Sequence, residues 1–244
     1  MRRFIGSLVG IGLILYGSFT LLSHFLFGHP KDEQFVRQVA ATYLENHHRD
    51  QSLEITSATM MMWGSDLYLL TIDSDTSIDT HFELHITTDG DITFNDYANV
   101  TSGMNTFDRI HDAYRRLVGP ALPEHVHLSD DVLIPKDGPD SPEESLDLQS
   151  LRLDQDYDIQ DIGANHGSLF ISVDVPTTTV NRAAFLLRDL KHNMDAAGVP
   201  FRTMSVTLRG EEDWFYTGSV SREEIDSPEL EQIIQRQHDE VMSQ

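Results

Sequence analysis

Thr80–Tyr97, THFELHITTDGDITFNDY, decides the fold class. Phe82, Leu84 and Ile86 alternate with His81, Glu83, His85 and Thr87. A period of two turns one set toward a core and the other toward water. Asp89-Gly90 is a two-residue turn signal, and Ile92-Thr93-Phe94 resumes the extended pattern. The segment therefore predicts an antiparallel hairpin that is apolar on one side only. A helix to cover that side is predicted upstream. Phe35, Val36, Val39, Ala40, Tyr43 and Leu44 recur at the spacing of one buried helical face.

Working outward, Ser52–Met62 and Leu67–Asp73 predict two more strands around the connection Trp63–Asp66. Asn105–Val118 predicts a helix with Phe107, Ile110, Tyr114 and Leu117 inward, capped by Asn105 and stopped by Gly119-Pro120. Residues 32–119 thus form an expected first α+β domain of helix, about four strands and helix. Five of the nine prolines fall between Pro120 and Pro142, and KDGPDSPEES (Lys136–Ser145) is charged and rich in breakers. Residues 120–145 are expected to be an exposed acidic linker.

A second α+β domain is expected over 146–226. Tyr157–Ala164 predicts a short helix and Ser168–Val175 a strand. A helix with Ala183, Leu187, Leu190 and Met194 inward ends at Gly198. Arg202–Arg209 alternates through Met204, Val206 and Leu208, with Asp213–Val220 as its partner strand. Residues 227–244 predict an amphipathic C-terminal helix, begun by Ser227-Pro228 and striped by Leu230, Ile233, Ile234, Gln237 and Val241. The expected class is α+β, an N-terminal transmembrane helix followed by two small helix-on-antiparallel-sheet domains.

The transmembrane expectation rests on residues 1–28. Arg2 and Arg3 precede an uncharged run from Phe4 to Phe27. A helix over that run would be roughly 36 Å long, against a hydrocarbon core of ~30 Å. The positive-inside rule puts the arginines in the cytoplasm and residues 29–244 outside. The end of the run has no small-x-small cleavage pattern, which favours an uncleaved signal anchor over a signal peptide. Gly6 and Gly10 form one G-x-x-x-G that can seat a second helix, as in an accessory subunit of a membrane complex.

The chain carries 17 Lys+Arg against 40 Asp+Glu, a formal net charge of −23. Such a surface repels nucleic acid and anionic lipid headgroups, so no nucleic-acid partner is expected. The expected partners are membrane lipid through residues 4–27 and an unidentified protein or peptide. The absence of cysteine excludes disulfides, thiol chemistry and lipidation at a cysteine.

His81–Tyr97 also resembles the middle of the YfjL-like family of membrane-anchored extracytoplasmic proteins of Gram-positive bacteria. Tyr43-Leu44, Phe82-Glu83-Leu84, Gly90 and Asp96-Tyr97 occupy the places of that family's pattern. In the second half, Tyr157-Asp158-Ile159, Gly198-Val199-Pro200-Phe201 and Val206-Thr207-Leu208 do the same. The resemblance spans most of residues 32–226 and implies an envelope location. It supplies no catalytic residues, and many members carry a lipobox cysteine that this chain lacks. A weaker likeness to PepSY-type helix–sheet modules implies peptide binding or inhibition.

Two sets of residues are candidates for chemistry. His81, Glu83 and His85 point the same way from one strand and offer imidazole and carboxylate to a zinc ion, the core of a metal-dependent hydrolase or zinc-binding protein. The opposing reading is a solvated strand face. Asp73–Asp79 places oxygens as a calcium loop begins, but Ile78 stands where glycine is needed and Leu84 where glutamate is needed. Met61, Trp63 and Trp214 are candidates for a contact patch. No G-x-S-x-G, S-x-x-K, H-E-x-x-H or Walker loop occurs. The leading expectation is a non-enzymatic binding module with no catalytic residues and no cofactor, zinc excepted.

Overall fold

The computed structural model describes residues 29–62, 64–136, 138–139 and 141–243. The apolar run 4–27, with Gly6 and Gly10, lies outside them, as do Trp63, Asp137 and Asp140. Among the described residues no helix is long and apolar enough to cross a membrane. The chain is a mixed α+β protein with two sheets, and it divides into compact units at Asn105/Thr106.

In the first unit, α1 (Pro30–His47) begins where the His29 side chain accepts the Lys31 N–H, with Pro30 in its first turn. Four antiparallel strands follow in sequential order: β1 (Leu53–Met60), β2 (Leu67–Ser74), β3 (His81–Thr87) and β4 (Ile92–Asn95). Val36, Ala40 and Leu44 of α1 pack with Tyr68, Leu70, Ile72, Phe82, Leu84 and Ile86. The alternation of β3 is therefore realised as expected. Phe35, expected in the stripe, is 41% exposed. It lies instead against the β3–β4 turn, where Gly90 has φ +95° and a Cβ would sit 3.3 Å from the Phe35 ring. A short helix, α2 (Ala98–Ser102), buries Val100 in the same core.

Asn105 does not cap the next helix, α3 (Met104–Val118), but lies inside its first turn. Its amide donates to the carbonyls of Asp79 and His81, at 2.9 and 2.6 Å, pinning the entry to β3. Asp79, the last position of the calcium-loop candidate, is fully buried.

The expected domain boundary and linker both need correction. α3 was expected in the first domain, but from Thr106 onward it belongs to the second unit. Tyr114 is fully buried there and donates to the Pro200 carbonyl at 2.8 Å. The stretch 120–145 is not an exposed tether. Val132 and Leu133 are buried, and Pro135 bridges Leu146. Hydrogen bonds run from the Lys136 N–H to Leu146 O and from the Leu146 N–H to Ile134 O. Prolines forbid regular helix or ladder, but a few apolar residues still order such a segment by burial.

The second sheet is mixed, which corrects the expectation of two antiparallel sheets. Its path is β5 (His127–Leu128), β6 (Ser168–Asp174), β7 (Thr203–Arg209) and β8 (Trp214–Tyr216), with β9 (Val220–Ser221) also pairing β7. β6 and β7 are parallel. The reason is topological: α5 (Val180–Ala197) carries the chain back along the sheet, and a helical crossover returns the next strand in the same direction. Before β6 lies α4 (Ile159–His166), capped by the Asp158 carboxylate. Thr179 caps α5, and Gly198 closes it at φ +68°. Ala183, Leu187, Leu190 and Met194 are buried against one side of the sheet, as their spacing implied. α6 (Arg222–Ile225) opens on a Ser221/Glu224 capping box. The last helix, α7 (Leu230–Met242), is part of this unit, burying Leu230 and Ile234.

Candidate functional site

The strand residues proposed as zinc ligands divide in the structure. His81 is exposed, while Glu83 and His85 are half-buried. His85 Nε2 lies 3.9 Å from Glu83 Oε2, and its ring packs 4.5 Å from that of Phe94. Among the described residues no three His, Asp or Glu side chains converge as a metal site. The Asp73–Asp79 loop forms no such group either. Instead, the Asp73 carboxylate accepts the Thr56 hydroxyl at 2.6 Å. Of the contact-patch candidates, Met61 is 44% exposed at the β1–β2 hairpin and Trp214 is 47% exposed on β8.

Two arrangements escaped sequence reasoning. One is a ring cluster in the first unit. His48 sits 4.2 Å from Tyr97 and 5.7 Å from both Phe82 and Tyr43, by ring centroids. The Tyr97 hydroxyl accepts from Gln51, and the Tyr43 hydroxyl accepts from Asn95, each at 2.6 Å. His48 Nε2 is buried with no hydrogen-bond partner among the described residues. Burial, with a smaller contribution from His47, holds the His48 pKa below its ordinary value. The unfolded chain then binds more protons than the folded one as pH falls below about 6.5. Stability contributed by neutral His48 is present above that pH and is lost toward the depressed folded pKa. The melting temperature is expected to fall between pH 7.5 and 5.5, and the fall should be smaller in His48→Phe. Identical pH profiles for the two proteins would remove this role.

The other arrangement is the helix-free face of the second sheet. Leu169, Ile171 and Val173, with Met204, Val206 and Leu208, face the helices and are buried. The alternate residues therefore share the opposite face. Register aligns them across four strands: His127 opposite Ser172, Ser172 opposite Thr207, and Thr207 opposite Tyr216. Phe170 and Ser205 form the adjoining row. Asp174, Arg209 and Trp214 form a third row, in which Arg209 Nε pairs with Asp174 at 2.9 Å.

The first two of these rows line a cleft of about 330 Å³. Its walls include His127, Ser129, Phe170, Ser172, Thr207 and Tyr216, and no Asp, Glu, Lys or Arg among the described residues. β8, which supplies Trp214 and Tyr216, is held from behind. The ring of His238 on α7 stacks on Phe215 at 4.2 Å and meets Trp214 edge-on at 5.9 Å. The buried Thr217 hydroxyl accepts the Val206 N–H at 2.9 Å and donates to Gly218 O. Gly218, at φ +70°, turns the chain against Gln237, where a Cβ would collide. The face is thus a supported surface rather than a loose edge. The alternation of SLFISVD and TMSVTLR was legible, but the lateral line of hydroxyls and rings needed the strand register.

No family model matches the chain, and no curated protein does. Among solved structures it is similar to the crystal structure of a DUF5037 family protein from Ruminococcus gnavus. The two share 13% identity, over 72% of this chain and 74% of that one, with a TM-score of 0.25. A likeness at that level carries no argument about fold or function.

Proposed function

We propose that this chain is a single-pass membrane-anchored, extracytoplasmic binding protein that presents the helix-free face of its second sheet to a ligand of the cell envelope. The uncharged run Phe4–Phe27 behind Arg2 and Arg3 supports the anchor and its orientation. The charge-free cleft carries the binding reading. The chain has 40 acidic residues, and among the described residues none of them lines this concave surface. Hydroxyls and an imidazole that converge on a hollow with two aromatic rings are what a ligand site offers.

Retention of envelope material tests the reading. Full-length protein in mild detergent is expected to retain one of three fractions: wall polysaccharide, envelope peptides or solubilised membrane proteins. Thr207→Asp puts a charge in the cleft and should reduce that retention roughly tenfold, the effect of about 1.4 kcal/mol. Equal retention by wild type and Thr207→Asp would remove the cleft from the function.

A further inference from the structure

The lining of this cleft narrows the ligand class, and the inference rests on the binding reading above. We infer that the helix-free face of the second sheet binds a short, uncharged oligosaccharide, with Trp214, Tyr216 and Phe170 meeting sugar ring faces and Ser172, Thr207 and His127 meeting sugar hydroxyls.

Three ligand chemistries compete for a surface of this kind. A cationic peptide gains most where carboxylates converge, and this cleft has none among the described residues. An anionic polymer is repelled at long range by a chain of net charge −23, and no Lys or Arg lines the cleft to compensate. Farther along the same face, Asp174 and Arg209 pair at 2.9 Å. A purely apolar ligand would cover the Ser172, Thr207 and Tyr216 hydroxyls without satisfying them, which weakens binding for each group left unpaired.

A neutral sugar meets all three conditions. Its C–H faces are apolar and rest on aromatic rings; Phe170 and Tyr216 line the cleft, and Trp214, 47% exposed, stands two residues from Tyr216 on β8. Its hydroxyls donate and accept, as do those of Ser172, Thr207 and Tyr216. The side chains of Ser172 and Thr207 are half-buried, and their hydroxyls form no hydrogen bond among the described residues, so their capacity is available. The Tyr216 hydroxyl has only a long contact, 3.5 Å, to Ser205. At about 330 Å³ the cleft is at the small end of the roughly 300–1,000 Å³ range of small-molecule sites, which suits a few sugar units and not a folded partner.

The test uses the full-length protein in detergent and the tryptophan emission it already carries. The chain has two tryptophans. Trp63→Phe leaves Trp214 as the reporter. Tetramers of N-acetylglucosamine, glucose in β-1,4 linkage and glucose in α-1,4 linkage are titrated, with a polyuronate and an oligolysine as charged controls. Saturable change in Trp214 emission with a neutral tetramer, and none with either control, is expected. Calorimetry of Trp214→Ala and Ser172→Ala should show binding weakened roughly tenfold each. Both positions lie outside the core, so a thermal melt unchanged from wild type checks the fold. Suppose no neutral tetramer binds while the protein or peptide fraction is still retained in a manner sensitive to Thr207→Asp. The sugar assignment then fails and the binding reading stands. Loss of all such retention overturns both.

Discussion

Tyr114→Ala is expected to lower the stability of the second unit by about 3–5 kcal/mol, the usual cost of removing a large buried ring. The side chain is fully buried, and its hydroxyl donates to the Pro200 carbonyl at 2.8 Å. The same burial pushes the phenol pKa far above its ordinary value, so the hydroxyl stays neutral and donating across the accessible pH range. Tyr114→Phe keeps the ring and loses one hydrogen bond, and should cost about 1 kcal/mol. The contrast between the two variants separates packing from hydrogen bonding.

Gly163 and Gly167 make room for that ring. A Cβ on Gly163 would overlap the Tyr114 ring and come within 2.9 Å of the Pro200 carbonyl oxygen. A Cβ on Gly167 would overlap the Tyr114 hydroxyl. Gly163→Ala is therefore expected to be destabilising in the wild type and less so beside Tyr114→Ala. That coupling is measurable by a double-mutant cycle in thermal or urea unfolding. A Tyr114→Ala protein that melts with the wild type would show that α3 does not support this unit.

The second large effect concerns the proposed anchor over Phe4–Phe27. Each arginine at the centre of a spanning helix costs about 2.5–3.5 kcal/mol on insertion scales, so Leu13→Arg with Leu15→Arg adds about 5–7 kcal/mol. The wild-type chain is expected in the membrane fraction after alkaline washing, and the double variant in the aqueous fraction. Orientation has its own readout. The chain has three lysines, of which Lys31 and Lys136 are exposed, while Lys191 is held by Asp195 and Asp226. A membrane-impermeant amine reagent should label Lys31 and Lys136 on intact cells. Labelling only after lysis would reverse the topology, and wild-type protein in the aqueous fraction would end the anchor reading.

Much of the local structure was legible in particular residues. Phe82, Leu84 and Ile86 declare a strand buried on one side, and they are buried. Thr179 and Gly198 bound a helix whose Ala183, Leu187, Leu190 and Met194 stripe is inward. The zinc idea shows where such reasoning stops. Period two correctly put His81, Glu83 and His85 on one face, but a metal site needs ligands from elsewhere in the chain. Among the described residues none arrives. The proline-rich stretch shows the same limit. Its breakers were plain, whereas the burial of Val132 and Leu133 depended on partners outside the segment.

By itself the sequence determined the main helices and strands, the apolar side of most of them, several caps and turns, and that the chain is strongly acidic. These are short-range properties, set by backbone sterics, side-chain period and charge. Only the tertiary structure decided that β6 and β7 run parallel, that α3 from Thr106 serves the second unit, that Asn105 pins a strand, and that His127, Ser172, Thr207 and Tyr216 stand side by side. Those outcomes join residues dozens of positions apart. They are selected by the burial and hydrogen bonding of the assembled chain, which no local pattern records.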